Sequence, residues 1–155
     1  MADMNLSPLI KVSEVKLIFK SKIKASERLK VKQTLDAYLI FRQYWDEDKI
    51  ELQEQFKIML LNQANKILGI CTISTGGVTG TVTDPKLIFS TALKANATSI
   101  IVAHNHPSGN LKPSSADISF TKKLKEGARL LDLSLLDHII ITTENYYSFA
   151  DQGEL

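Results

Sequence analysis

Two histidines and one aspartate are the residues whose types and spacing have the clearest chemical meaning in this chain of 155 residues. His104 and His106 are separated by one residue and follow the apolar run 99–103, and Asp117 lies eleven positions after His106. Residues two apart on a strand project to the same side, so both imidazoles can reach one ion. Two imidazoles and one carboxylate leave the fourth position of a tetrahedral Zn²⁺ open to water. The spacing therefore predicts a catalytic rather than a structural zinc site.

The same residues also permit less specific interpretations. Ser114 and Asp117 are three positions apart and have the form of a capping box, which would satisfy only the first amides of a helix. This role does not exclude chemistry for Ser114. A His-x-His pair by itself is a short pattern, and His104 and His106 are also compatible with ordinary loop histidines near a turn.

The elements that would position these residues follow from apolar periodicity and turn signals. Asp84 followed by Pro85 is a strong helix start, because Asp accepts from free amides of the first turn and Pro suits the first helical position. Alternating strands and helices predict a three-layer α/β domain with a mixed sheet. The predicted helices cover 32–45, 85–96 and 115–131, and the predicted strands cover 15–20, 56–61, 67–74, 99–103, 138–142 and 146–149.

The N-terminal part of the chain is basic. Residues 11–32 contain eight Lys or Arg against two Glu, although the net charge of the whole chain is only +2. We interpret residues 1–31 as a basic extension, with an edge strand at 15–20, that packs on a domain formed by residues 32–155. A solvated face explains the charges most simply, and contact with nucleic acid is the alternative.

Composition sets the broad class. Hydrophobic residues make up 44% and charged residues 23%, which is typical of a globular domain. The sequence has neither an apolar run of membrane-spanning length nor a secretory leader, which predicts a cytoplasmic protein without a membrane partner. Cys71 is the only cysteine, so an internal disulfide or a cysteine-based zinc knuckle is excluded and a metal would be held by His and carboxylate. We expect Cys71 to be a small hydrophobic residue on the second hairpin strand.

The string HNHPSGNLKPSSAD resembles the JAMM motif at each of its fixed positions, which here are His104, His106, Pro107, Ser114 and Asp117. The resemblance is closer to the RadC-like branch of JAMM/MPN domains. That branch has HNHPSG, then P-S-x-x-D and a helix, and then Asp-His before an apolar strand. Asp137, His138 and the following IIIT match this ending. The similarity covers roughly residues 50–150.

The resemblance implies a three-layer α-β-α JAMM/MPN fold related to that of cytidine deaminases, with a zinc-bound water as nucleophile. It also implies a glutamate before an early apolar strand, which matches Glu54. This carboxylate would act as general base and then as general acid. Glu51 and Glu47 are the fallback candidates. By the same resemblance, Ser114 would donate a hydrogen bond to the oxyanion.

His138 is also a conceivable metal ligand. We reject it, because the zinc needs an open position and an Asp-His pair entering a strand is more typical of a buried, hydrogen-bonded element.

The resemblance favours a metallohydrolase that cleaves an amide or isopeptide bond in a peptide or protein substrate. The alternatives are a DNA-associated accessory protein without peptidase activity and a catalytically silent scaffold. Many RadC-like proteins carry an N-terminal helix-hairpin-helix module, and this chain instead resembles a short, stand-alone version of the family.

Overall fold

The computed structural model describes residues 12–76 and 82–155, which form three α-helices and five β-strands. Apart from the first predicted strand, every element predicted from the sequence is present, with boundaries shifted by a few residues. The helices are α1 (Thr34–Tyr44), α2 (Pro85–Lys94) and α3 (Ser115–Leu130). The strands are β1 (Gln55–Leu61), β2 (Ile67–Thr75), β3 (Ser99–Asn105), β4 (Ser134–Ile141) and β5 (Tyr146–Ser148).

The five strands form one mixed sheet in the order β2-β1-β3-β4-β5. β1 is antiparallel to β2 and β3, β3 is parallel to β4, and β4 is antiparallel to β5. All seven residues of β3 are buried. A strand with neighbours on both sides and helices on both faces is expected to be continuously apolar, and the run that starts β3 fits this rule.

Helices cover both faces of the sheet. Ile88 of α2 and Leu124 of α3 share one buried cluster with Val102 of β3, whereas Phe41 of α1 lies in a second cluster with Ile101 of the same strand. Neighbouring residues of β3 thus face opposite helical layers, as the alternation of strand side chains requires. The predicted three-layer α-β-α architecture is confirmed.

Helix α3 connects the parallel strands β3 and β4, so it must begin close to the carboxyl end of β3. Its start has the predicted capping box. The Asp117 amide donates to Ser114 Oγ at 3.0 Å, and the Ser114 amide donates to Asp117 Oδ2 at 2.8 Å. These bonds fix Asp117 in the first turn of α3, beside the end of β3.

The strand predicted over residues 15–20 is wrong, because these residues contain neither helix nor strand. Val15 and Leu17 are 86% and 85% exposed. Alternating apolar residues give a strand only where a sheet edge pairs with them. Here the chain approaches the sheet later, through the short 3-10 helix Ala25–Glu27 and a single bridge between Lys30 and Lys66.

The remaining predictions for the N-terminal part of the chain concern residues 1–11 and the boundary at residue 31. Residues 1–11 of the predicted extension lie outside the described residues. The division between extension and domain at residue 31 stays a prediction. None of the helices in the described residues is both long enough and apolar enough to cross a membrane.

Candidate metal centre

The three predicted ligands meet at the carboxyl end of β3. His104 belongs to the strand and is 2% exposed, His106 follows the strand, and Asp117 lies in the first turn of α3. His104 Nε2 is 3.2 Å from Asp117 Oδ1, and His106 Nε2 is 3.3 Å from Asp117 Oδ2. The two Nε2 atoms are 3.0 Å apart. Zinc bonds of roughly 2.0–2.1 Å in a tetrahedron would separate their ligand atoms by about 3.3 Å, so the three groups have the right spacing for one ion.

The hydrogen bonds of His106 determine which of its nitrogens is free. His106 Nδ1 lies 2.6 Å from the carbonyl oxygen of Asn110. A carbonyl can only accept, so Nδ1 carries the proton and the lone pair of Nε2 points to Asp117.

Three successive hydrogen bonds determine which ring nitrogen of His104 carries the proton. The Thr121 hydroxyl donates to the Asp117 carbonyl at 2.7 Å, which uses its only hydrogen. Thr121 Oγ1 must therefore accept from His138 Nδ1, 2.6 Å away. His138 Nε2 is then an acceptor and takes the proton of His104 Nδ1 at 2.8 Å. His104 Nε2 is left with a lone pair.

Two imidazole lone pairs and a carboxylate thus face one another with no proton of their own between them. Such a set of acceptors is stable only around a positive charge, either a metal ion or a proton. Burial raises the pKa of Asp117, but bonds to His104 and His106 outweigh it and hold the pKa below its usual range. Burial lowers the pKa of His106, but Asp117 and the Asn110 carbonyl outweigh it and raise the pKa. The donor set fits zinc, as the sequence predicted, and other divalent transition ions.

His138 is a hydrogen-bonded core residue. It is 1% exposed, and its ring stacks on Phe149 at a centroid distance of 5.0 Å. Burial and the neighbouring His104 hold its pKa well below the usual value, so the ring is neutral. Both of its nitrogens are hydrogen-bonded, in agreement with its rejection as a fourth ligand.

A cavity of about 310 Å³ opens beside His104 and Asp117. Glu54 lines it together with His104 and Asp117, and Phe56 and Phe120 form part of its apolar wall. Burial raises the pKa of the Glu54 carboxyl above 4.5, although His104 and His106 partly offset this effect. A carboxyl group with a raised pKa next to a cation site is suited to proton transfer.

The two fallback glutamates have other partners. Glu51 accepts a hydrogen bond from the Thr143 hydroxyl at 3.2 Å, and Glu47 forms an ion pair of 2.7 Å with Arg42. Neither residue lines the cavity that contains Glu54. The geometry therefore favours Glu54 as the proton-transferring group, and this role stays a prediction.

Asn105, which sequence reasoning missed, ties Glu54 to the ligands. It lies between the two histidines, and none of its surface is exposed. Its Oδ1 accepts from the Gln55 amide at 2.7 Å, and its Nδ2 donates to the carbonyls of Ile50 and Gln53 at 2.7 and 2.9 Å. Asn105 therefore holds the turn before β1, where Glu54 is located, against the ligand-bearing strand. The available signal was an amide side chain at the end of a buried strand.

Ser114 and Cys71 do not line the cavity beside the metal ligands. Ser114 is exposed. Because its Oγ accepts from the Asp117 amide, its own hydrogen is still free to donate, and the oxyanion role stays a prediction. Cys71 lies on β2 and packs against the core cluster under α2 and α3, as expected for a small hydrophobic residue.

A three-layer α-β-α domain with a two-histidine, one-carboxylate centre at the end of a central strand defines the JAMM/MPN class of proteins. Comparison with known families agrees: the model of the RadC-like JAB domain matches residues 31–154. The chain belongs to this family.

Among similar proteins is a UPF0758 protein of Flavobacterium johnsoniae, 47% identical over 100 residues that cover 64% of this chain and 44% of the relative. A UPF0758 protein of Streptococcus suis is 36% identical over 148 residues, covering 94% of this chain and 60% of the relative. A third, from Porphyromonas gingivalis, is 45% identical over 104 residues, covering 66% and 46%. The chain thus spans about half the length of these relatives.

Proposed function

We propose that this domain is a zinc-dependent hydrolase that cleaves an amide or isopeptide bond in a peptide or protein substrate. The observation that carries the proposal is the convergence of His104 Nε2, His106 Nε2 and the Asp117 carboxylate beside a cavity that Glu54 also lines. Three protein ligands are the number found in catalytic zinc sites, which keep one position open. The cavity, which opens to the surface, would receive the substrate.

Zinc bound by these residues would act as a Lewis acid and lower the pKa of a coordinated water to near 7. Glu54 would accept the proton of the attacking water and then deliver it to the leaving amine. Its raised pKa suits the first step, because a carboxylate of higher pKa is a stronger base. The protonated carboxyl is still much more acidic than an ammonium group, so it can deliver the proton to the leaving amine. Ser114 would donate the free hydrogen of its hydroxyl to the developing oxyanion, while its oxygen still caps α3.

The test is the zinc content of purified protein. We expect one zinc per chain in the wild type, and loss of zinc in both His104→Ala and Asp117→Ala, each with circular dichroism close to that of the wild type. Asp84→Ala is the matched control, since Asp84 caps α2 as Ser114 caps α3 but lies outside the centre. Unchanged metal content in the His104 and Asp117 variants would refute the proposal, and so would a wild type that binds no zinc.

The second candidate is a DNA-associated accessory protein. It is favoured by the exposed lysines between residues 12 and 32, namely Lys16, Lys20, Lys22, Lys24, Lys30 and Lys32. Binding through such charges would weaken steeply as salt is raised. A salt-dependent shift of duplex DNA would support this candidate, and no shift at low salt would remove it.

A further inference from the structure

We propose that Thr121 is a positioning residue that, through His138, sets the tautomer of His104 and so presents its Nε2 to the metal. The proposal rests on the metal centre of the proposed function. Thr121 lies one helical turn after Asp117 on α3. It is 2% exposed, and its hydroxyl is hydrogen-bonded to the Asp117 carbonyl and to His138.

The partner of His104 makes such a residue necessary. A metal-ligating histidine usually donates its second N–H to a carboxylate or a carbonyl, which can only accept and therefore fixes the tautomer. His104 instead faces His138, a ring nitrogen that either donates or accepts. The pair by itself does not specify where the proton lies.

Thr121 removes this ambiguity. Its hydroxyl donates to the Asp117 carbonyl, which cannot donate in return, and so its oxygen is available to His138 only as an acceptor. In each of the three hydrogen bonds, from His104 to His138, from His138 to Thr121 and from Thr121 to Asp117, the donor is then on the His104 side. The chain also ends on the backbone of Asp117, whose carboxylate is 3.2 Å from His104 Nε2. These three hydrogen bonds, together with the contact between the Asp117 carboxylate and His104 Nε2, connect the two ligands through β3, β4 and α3.

Removing the hydroxyl while keeping the shape of the side chain should therefore weaken the centre. In Thr121→Val, His138 Nδ1 loses its acceptor. His138 is then free to carry its proton on Nε2 and to donate to His104, which would move the His104 proton onto the metal-binding nitrogen. We expect zinc affinity to fall roughly 10- to 100-fold, the usual effect of losing such an outer partner of a ligand.

The experiment is a competitive zinc titration of the metal-free full chain against a chromophoric chelator. Thr121→Ser keeps the hydroxyl and should bind zinc within a few fold of the wild type. Thr91→Val is the matched control: Thr91 donates to the Leu87 carbonyl four residues back on α2, the same bond that Thr121 makes on α3, but it lies outside the centre. It should bind zinc as the wild type does. As a second readout, the His104 Nδ1–H resonance of the zinc-loaded protein should exchange faster with water in Thr121→Val than in Thr121→Ser.

The outcomes separate the two proposals. A wild type that binds no zinc refutes the proposed function and this inference together. Wild-type affinity in Thr121→Val, or equal losses in the Val and Ser variants, refutes the inference alone, because the hydroxyl would then have no specific role. If Thr121→Val does not fold, His138→Phe keeps a ring against Phe149 and removes the acceptor of His104. It should lose zinc affinity by a similar factor, and unchanged binding would overturn the inference.

Discussion

Glu54 has the surroundings of a proton-transferring carboxyl rather than of an ion-paired one. It lies immediately before β1, and its backbone carbonyl accepts from the Gly76 amide at 2.8 Å, which fixes the main chain. Burial raises the pKa of its carboxyl, whereas the nearby Glu47 is paired with Arg42 on the surface. The side chain lies beside the centre, and among the described residues it forms no ion pair with a lysine or an arginine.

We expect Glu54→Gln to retain zinc and to lose turnover by two or more orders of magnitude, since the amide cannot take a proton. Zinc content and hydrolysis of a peptide pool, followed by mass spectrometry, measure the two effects. In the wild type, turnover should fall as the pH drops through the raised pKa of Glu54, because protonation of the carboxyl removes the base.

Glu51→Gln is the matched control, because Glu51 lies three residues earlier and contacts Thr143 instead. It should leave turnover unchanged. Full activity in Glu54→Gln would move the role of base to another residue.

The sequence predicted the three residues that converge on one point, but not those that support them. His104, His106 and Asp117 follow from spacing on a strand and in a first helical turn. Thr121 and Asn105 are ordinary residue types, and their roles depend on which carbonyls and ring nitrogens lie within hydrogen-bonding distance in three dimensions. No pattern along the chain carries that information.

At the scale of elements, periodic apolar segments were predicted well and polar positions inside strands were not. β4 begins at Ser134, four residues before the predicted start at His138, because the strand includes the polar residue Asp137, which is buried. Asp137 is accommodated because it accepts from the Ser148 hydroxyl at 2.6 Å and from the Ala150 amide at 3.0 Å. The strand predicted at 15–20 is absent for a related reason, because a strand forms only where another strand pairs with it. That segment has the apolar pattern of a strand but is not paired in the described residues.

Asn105 connects the end of β3 to the turn before β1, so we expect its substitution to lower the stability of the domain. Asn105→Ala removes three hydrogen bonds and leaves an amide and two carbonyls near the Glu54 turn without these partners. We expect the free energy of unfolding to fall by roughly 1–3 kcal/mol, the cost of leaving buried polar groups unsatisfied. Urea denaturation of the metal-free protein measures it.

The matched control is Asn62→Ala, since the Asn62 side chain is also hydrogen-bonded to the backbone, accepting from two amides in the surface turn between β1 and β2. Asn62→Ala should lower the free energy of unfolding by less than Asn105→Ala does. If the two variants are equally stable, Asn105 does not hold the turn before β1 as inferred.

At the scale of the whole molecule, the metal centre joins the sheet to one of the helical layers. β3 lies in the middle of the sheet, and α3 crosses from it to β4, so the ligands belong to two different layers of the folded domain. An ion held by β3 and α3 would bind the folded chain and not the unfolded one. Metal affinity is then linked to the stability of the entire domain.

We therefore expect zinc to raise the thermal midpoint of unfolding. Free zinc at 100 times its dissociation constant would add about 2.7 kcal/mol to the free energy of unfolding. For a domain of this size, that corresponds to a rise in Tm of roughly 5–10 °C. Differential scanning calorimetry with buffered zinc and with excess chelator measures the shift, which should be absent in His104→Ala. A shift of equal size in that variant would show that zinc stabilises the fold at a different place from the end of β3.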